Sequence, residues 1–245
     1  ASSAEQSAPL LQDWFGVHPR SALTLLDHPG QPFEDGPLLV APLASLATPA
    51  AAPLLAHSLT HAWVQTGQPW MDEGLAEFVS LLGTEREKGR DAALVQLDQL
   101  MQPVIAAETT PSPQPTTTPD AATSSSSQSA EAATAGQPLI TASDEIFYRH
   151  KAAAVWWMLR DIAGEQPLQL ALSAWRTQPP RHDSAEAQAQ AFEALLEKTS
   201  GKDLGWFFND WVFEDRGLPN LSIVDVTPRQ LPAGAGHSSG WLVAV

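Results

Sequence analysis

His57 and His61 stand four residues apart in His57-Ser58-Leu59-Thr60-His61, and Glu73 follows twelve residues later in Trp70-Met71-Asp72-Glu73-Gly74-Leu75-Ala76-Glu77-Phe78. On a helix, positions i and i+4 share one face, so both imidazoles can reach one ion. Two imidazoles and a carboxylate suit zinc, with a fourth position left for water. Zinc hydrolases of the H-E-x-x-H pattern carry a glutamate directly after the first histidine, where it takes a proton from the attacking water. Here that position is Ser58. A hydroxyl is no base near neutral pH, and loss of a general base costs about 10²–10⁴ in rate, or roughly 3–5 kcal/mol of transition-state stabilisation. Glu73 cannot substitute while it holds the ion. The spacing therefore predicts a zinc site with its ligands present and its base missing.

These residues need elements to hold them. Apolar positions at helical spacing run from residue 53 to about 66, with Pro53 in the first turn and Gly67 marking the end. A second helix is predicted from Trp70 or Met71 to Leu82, closed by Gly83, and a third over residues 91–101. Upstream, residues 21–27 and 36–42 are short apolar runs bounded by Gly and Pro, which suits strands of a small sheet. Residues 1–9 read as a loose lead-in. Residues 103–138 are dominated by Thr, Ser, Pro, Ala and Gln, too poor in apolar surface to offset the entropy of ordering, and read as a long insertion. Four helical stretches are predicted after it: residues 144–163, 167–176, 185–199 and the aromatic-rich 203–213. The tryptophans among them (Trp156, Trp157, Trp175, Trp206, Trp211) read as core packing.

Composition excludes several classes. A net charge of −15 and a pI near 4.6 argue against nucleic acid and anionic membrane surfaces as partners. There is no cysteine, hence no disulfide and no thiolate zinc site. No apolar run approaches the roughly 20 residues that cross a bilayer. The chain starts with Ala and closes on what reads as the opening of a β-domain (Leu221-Ser222-Ile223-Val224-Asp225-Val226), as expected of a piece of a longer protein. The domain division expected is 1–220 for the main domain and 221–245 for the beginning of a β-domain or tail.

The ordered blocks resemble the catalytic domain of the membrane-alanyl-aminopeptidase family of gluzincin metallopeptidases. His57, His61 and Trp63 match H-E-x-x-H-x-W with serine for glutamate, and Trp70 to Ala76 is similar to W-L-N-E-G-F-A. Tyr148-Arg149-His150-Lys151-Ala152 resembles Y-E-K-G-A, and Phe207-Phe208-Asn209-Asp210-Trp211 with Gly217-Leu218-Pro219 resembles the closing F-F-x-x-W and G-L-P. The resemblance implies a mainly helical α+β, thermolysin-like fold with a small N-terminal sheet, and peptides or protein amino termini as substrates. It implies zinc on His57, His61 and Glu73, and Glu77 as an outer carboxylate orienting His57. Tyr148 would donate to the oxyanion of the tetrahedral intermediate. The G-x-M-E-N motif is absent as such, but Phe33-Glu34-Asp35 stands in its place, so Glu34 would hold a substrate amino terminus. Glu77 also reads as an ordinary exposed helix glutamate, and Tyr148 as a half-buried helix aromatic. The other histidines (His18, His28, His150, His182, His237) follow no ligand spacing and read as surface, as do the remaining acidic residues. Three functions stay open: a zinc-binding, catalytically impaired peptidase domain that binds peptides or protein partners; an active hydrolase with a displaced base; and a metal-free scaffold.

Overall fold

Side chains on a strand alternate between its two faces, and this rule decides which way the edge of the sheet points. A helix over Ser3–Phe15 (α1) leads into strands Thr24–Asp27 (β1), Phe33–Asp35 (β2) and Leu38–Ala41 (β3). β3 is central, with β1 parallel on one side and β2 antiparallel on the other. Leu39 and Ala41 are buried. Glu34 pairs directly with Leu39, so the two side chains leave the sheet on the same face. The computed structural model describes residues 3–109, 136–178, 183–218, 226–231 and 240–244.

A short helix, Leu43–Leu46 (α2), and a 3₁₀ turn, Pro49–Ala51, lead into Ala52–Trp63 (α3), which carries both histidines. Leu55 of α3 packs against Leu39 and Ala41, which joins the sheet to the metal-site helix. The chain turns at Gly67 and starts Pro69–Lys88 (α4). Proline opens α3 and α4 because its missing N–H would have no partner in a first turn. Then follow Arg90–Thr109 (α5), a π-helical turn at Ile146–Lys151, Ala152–Ala163 (α6), Glu165–Thr177 (α7) and Ala185–Ser200 (α8). Gly205–Phe208 (α9) runs into a second π-helical turn at Asn209–Phe213. Thr227–Leu231 (β4) and Gly240–Ala244 (β5) form an antiparallel pair. The architecture is mainly helical α+β, as the sequence predicts.

α4 is the spine. It packs against α3, α5, α6 and the first π turn. At Gly74 a Cβ would come within 2.6 Å of Ala152 Cβ and 3.1 Å of Trp156 Nε1, so only glycine permits α4 and α6 to approach this closely. The approach seats Trp156 against Trp70, rings stacked 5.2 Å apart. Phe192 meets both Trp156 and Trp175 edge-on. Burial of such a side chain is worth about 1.5–3 kcal/mol, and Trp70, Trp156, Phe78 and Phe192 are all essentially inaccessible. Trp206 departs from the predicted core, being 55% exposed.

Element ends differ from expectation for identifiable reasons. The lead-in is helical from Ser3, because Leu10, Leu11, Trp14 and Phe15 bury against the core and hold the turns before them despite Pro9. α4 runs five residues beyond Gly83 to Lys88 and ends at Gly89, whose φ of +91° breaks it. α5 likewise passes Met101 and Pro103 to Thr109, anchored by buried Val104 and Glu108. The predicted insertion is thus helical as far as Thr109, and its residues 110–135 lie outside the described residues. So do residues 221–225 of the predicted opening of a β-domain.

Candidate metal centre

α3 is buried along most of its length: His57 and His61 are each 2% exposed and Ser58 is inaccessible. The turn beyond it is fixed by Asp72 in the first turn of α4. Its carboxylate accepts from the Thr66 N–H at 2.7 Å, the Thr66 hydroxyl at 2.8 Å and the Gly67 N–H at 2.8 Å. That anchor sets which face of α4 looks back at α3, and the next residue is Glu73.

His57 Nε2 and Glu73 Oε2 are 3.3 Å apart, and His61 Nε2 lies 3.6 Å from Glu73 Oε1. One ligand atom from each of the three residues lies within 4.8 Å of the other two. Zinc bonds of 2.0–2.2 Å in a tetrahedron place ligand pairs about 3.4 Å apart, so the donor set fits such an ion. His61 Nε2 is buried and has no hydrogen-bond partner among the described residues. A buried, unpaired imidazole nitrogen costs free energy unless something binds it. A cavity of about 350 Å³ lies elsewhere, lined by Ser7, Leu10, Ala56, Ser80 and Thr84. Its lining contains none of His57, His61 and Glu73.

Two further carboxylates complete the surroundings of His57. Glu77 Oε2 is 3.3 Å from Nδ1, on the far side of the ring from Nε2, though not aligned as a hydrogen bond. Glu34 Oε1 is 3.1 Å from Nε2. Arg149, in the first π turn, holds them together. Its Nε donates to Glu77 at 3.0 Å, and its Nη1 reaches Glu145 at 3.0 Å and Glu34 at 3.4 Å. Arg149 was not among the sequence candidates. The signal for it was the arginine beside Tyr148, where the resembled pattern has glutamate. Widened π turns recur at functional sites, and this one carries both residues. Tyr148 is half-buried, and burial, then the charges of Glu145 and Glu73, raise its phenol above the ordinary value. It keeps its proton and remains a donor. His150, read as surface, is half-buried with an unpartnered Nδ1. His182 and His237 lie outside the described residues, and His18 and His28 are exposed.

Without an ion the cluster holds a proton instead. Burial alone would lower His57, but Glu34, Glu73 and Glu77 raise it from 6.5 to about 10. Burial would raise Glu34 and Glu77, but His57 and Arg149, with Ser58 for Glu34, hold each near 2 rather than 4.5. The His57 contribution to metal-free stability is complete below pH 6.5 and is lost as pH rises through about 10. Those of Glu34 and Glu77 are complete above pH 4.5 and are lost as pH falls through about 2. The metal-stripped protein should therefore lose melting temperature on both sides of pH 4.5–6.5, and a Glu34→Gln/Glu77→Gln variant should lose less on the acid side. Identical acid limbs in thermal melts of the two proteins would refute this assignment.

The sequence profile of the peptidase family M1 domain matches residues 38–211, and the chain belongs to that family. Its members are zinc metallopeptidases, and His57, His61 and Glu73 form a group that could hold a metal. The match covers α3, α4 and the first π turn, ends inside the second, and begins after Glu34. Comparison with curated proteins finds no match. No helix among the described residues is long and apolar enough to cross a membrane.

Proposed function

We propose that this domain is a zinc-binding, aminopeptidase-like module that takes peptides or protein amino termini beside α3 and α4. The observation that carries the reading is the convergence of three donors, one of them, His61 Nε2, buried without a hydrogen-bond partner among the described residues. His57, His61 and Glu73 would hold the ion, which when bound supplies a Lewis acid that polarises a carbonyl. Glu77 and Arg149 position His57. Tyr148 offers a phenol proton to the oxygen of a bound peptide carbonyl. α3 brings no base, since Ser58 stands where the proton acceptor belongs. Relative to a glutamate there, the module is catalytically impaired, and its first action is to bind peptides or protein partners.

The test begins with zinc content by elemental mass spectrometry. A mixed-sequence peptide library is then titrated by calorimetry into zinc-loaded and metal-stripped protein. Near-stoichiometric zinc and peptide binding that depends on it are expected. Absence of zinc after supplementation, or equal peptide binding with and without it, would overturn the reading. One contact, from Ser58 to Glu34, favours the second reading, a displaced base.

A further inference from the structure

The buried Ser58 hydroxyl donates to Glu34 Oε2 at 2.6 Å. The partner comes from β2, twenty-four residues upstream. A serine Oγ occupies the place of a glutamate Cγ, one bond beyond Cβ, and the carboxylate oxygens of a glutamate lie about 2.4 Å beyond its Cγ. Glu34 thus sets a carboxylate oxygen at nearly the distance from position 58 at which a glutamate on α3 would set its own. Its other oxygen is 3.1 Å from His57 Nε2, the nitrogen that faces Glu73, and 3.4 Å from Arg149 Nη1. The Glu34 side chain is 17% exposed, enough to meet a solvent water.

We propose that Glu34 carries the carboxylate that α3 lacks: the group has moved from the helix to the edge of the sheet, and Ser58 and Arg149 position it. This rests on the zinc-peptidase reading and changes one part of it, the source of the base. In hydrolysis the water oxygen bonds to the scissile carbonyl carbon while one water proton passes to Glu34. The carbon–nitrogen bond then breaks, and Glu34 returns that proton to the leaving amine. The second water proton remains on the new carboxyl group, and Glu34 ends ionised as it began. A carboxylate so employed, hydrogen-bonded to Ser58 and paired with Arg149, is withdrawn from holding a substrate ammonium. A plain tie between sheet and helix would need only the Ser58 contact and would leave hydrolysis indifferent to Glu34.

The experiment is a transposition. Ser58→Glu alone puts two carboxylates in one place and should lower the melting temperature of the metal-stripped protein. Glu34→Ser combined with Ser58→Glu leaves one carboxylate there and should recover most of that loss. With zinc bound, Glu34→Gln should cut turnover of an internally quenched peptide library by about 10²–10⁴ at unchanged zinc content, and the transposed variant should regain it. Additive melting temperatures across the cycle would overturn the shared place. Turnover by Glu34→Gln equal to that of the wild type, including none in either, would overturn the role as base. Wild-type protein without zinc would sink the zinc-peptidase reading instead, and the metal-stripped melts would still decide the placement of Glu34.

Discussion

Near-stoichiometric zinc in the purified protein is expected to fall to background in His61→Ala. The remaining donors, His57 Nε2 and Glu73 Oε2, are 3.3 Å apart and hydrogen-bond each other, so without His61 they close into a pair rather than half a coordination sphere. Loss of an outer partner of a metal-ligating histidine already costs about 10–100-fold in metal affinity, and loss of a ligand should cost more. Glu77→Gln is the graded companion. It keeps the shape behind His57 Nδ1 and removes the charge, so zinc affinity should drop by about 10–100-fold rather than vanish. Removing a buried imidazole also opens a void, so melting of the metal-stripped His61→Ala protein reports whether the fold survives. A folded His61→Ala protein that retains zinc would place the ion elsewhere and defeat the assignment.

The convergence of His57, His61 and Glu73 was legible in the sequence because its geometry is local. Positions 57 and 61 share a helix face by periodicity alone, and Glu73 follows after one short turn. Of the surroundings, Glu77 and Glu34 entered only through the resemblance and Arg149 not at all. Glu34 arrives through strand pairing and a sheet-to-helix contact, and no periodicity in α3 reports it. Arg149 reaches Glu77 and Glu34 from a π turn, where the wider spacing rotates side chains away from the places an α-helix would give them. The reading of the other acidic residues as solvated surface failed for Glu108, whose cationic partner lies beyond the insertion. The helical lead-in and the extended α5 were missed because burial of a few large side chains outweighed proline, a tertiary effect that local propensity does not register.

The second large effect lies at that buried cation. The Lys151 ammonium donates to Glu108 at 2.7 Å and to Asp215 at 2.9 Å. The three side chains are 3–8% exposed. They tie the end of α5, the first π turn and the segment after the second π turn to one point. Gly136 lies against the same point, since a Cβ there would come within 1.9 Å of Asp215 Oδ2. The segments on both sides of residues 110–135 therefore meet at this cluster. Breaking a buried pair by removing one partner costs about 3–5 kcal/mol, because an uncompensated charge stays behind. Lys151→Met leaves two carboxylates facing each other in the interior and should sit at the top of that range. For a chain of this size the corresponding drop in melting temperature is roughly 6–20 °C. Glu108→Gln should cost less, since Asp215 still pairs with the ammonium and one Glu108 oxygen, Oε2, has no partner among the described residues to lose. Thermal denaturation of the two variants in metal-stripped form separates this tie from the metal site. Equal, small shifts would mean that the cluster is hydrated and holds nothing together. A large loss for Lys151→Met alone would make it the clasp that keeps the π turn, and with it Tyr148 and Arg149, in place beside α3 and α4.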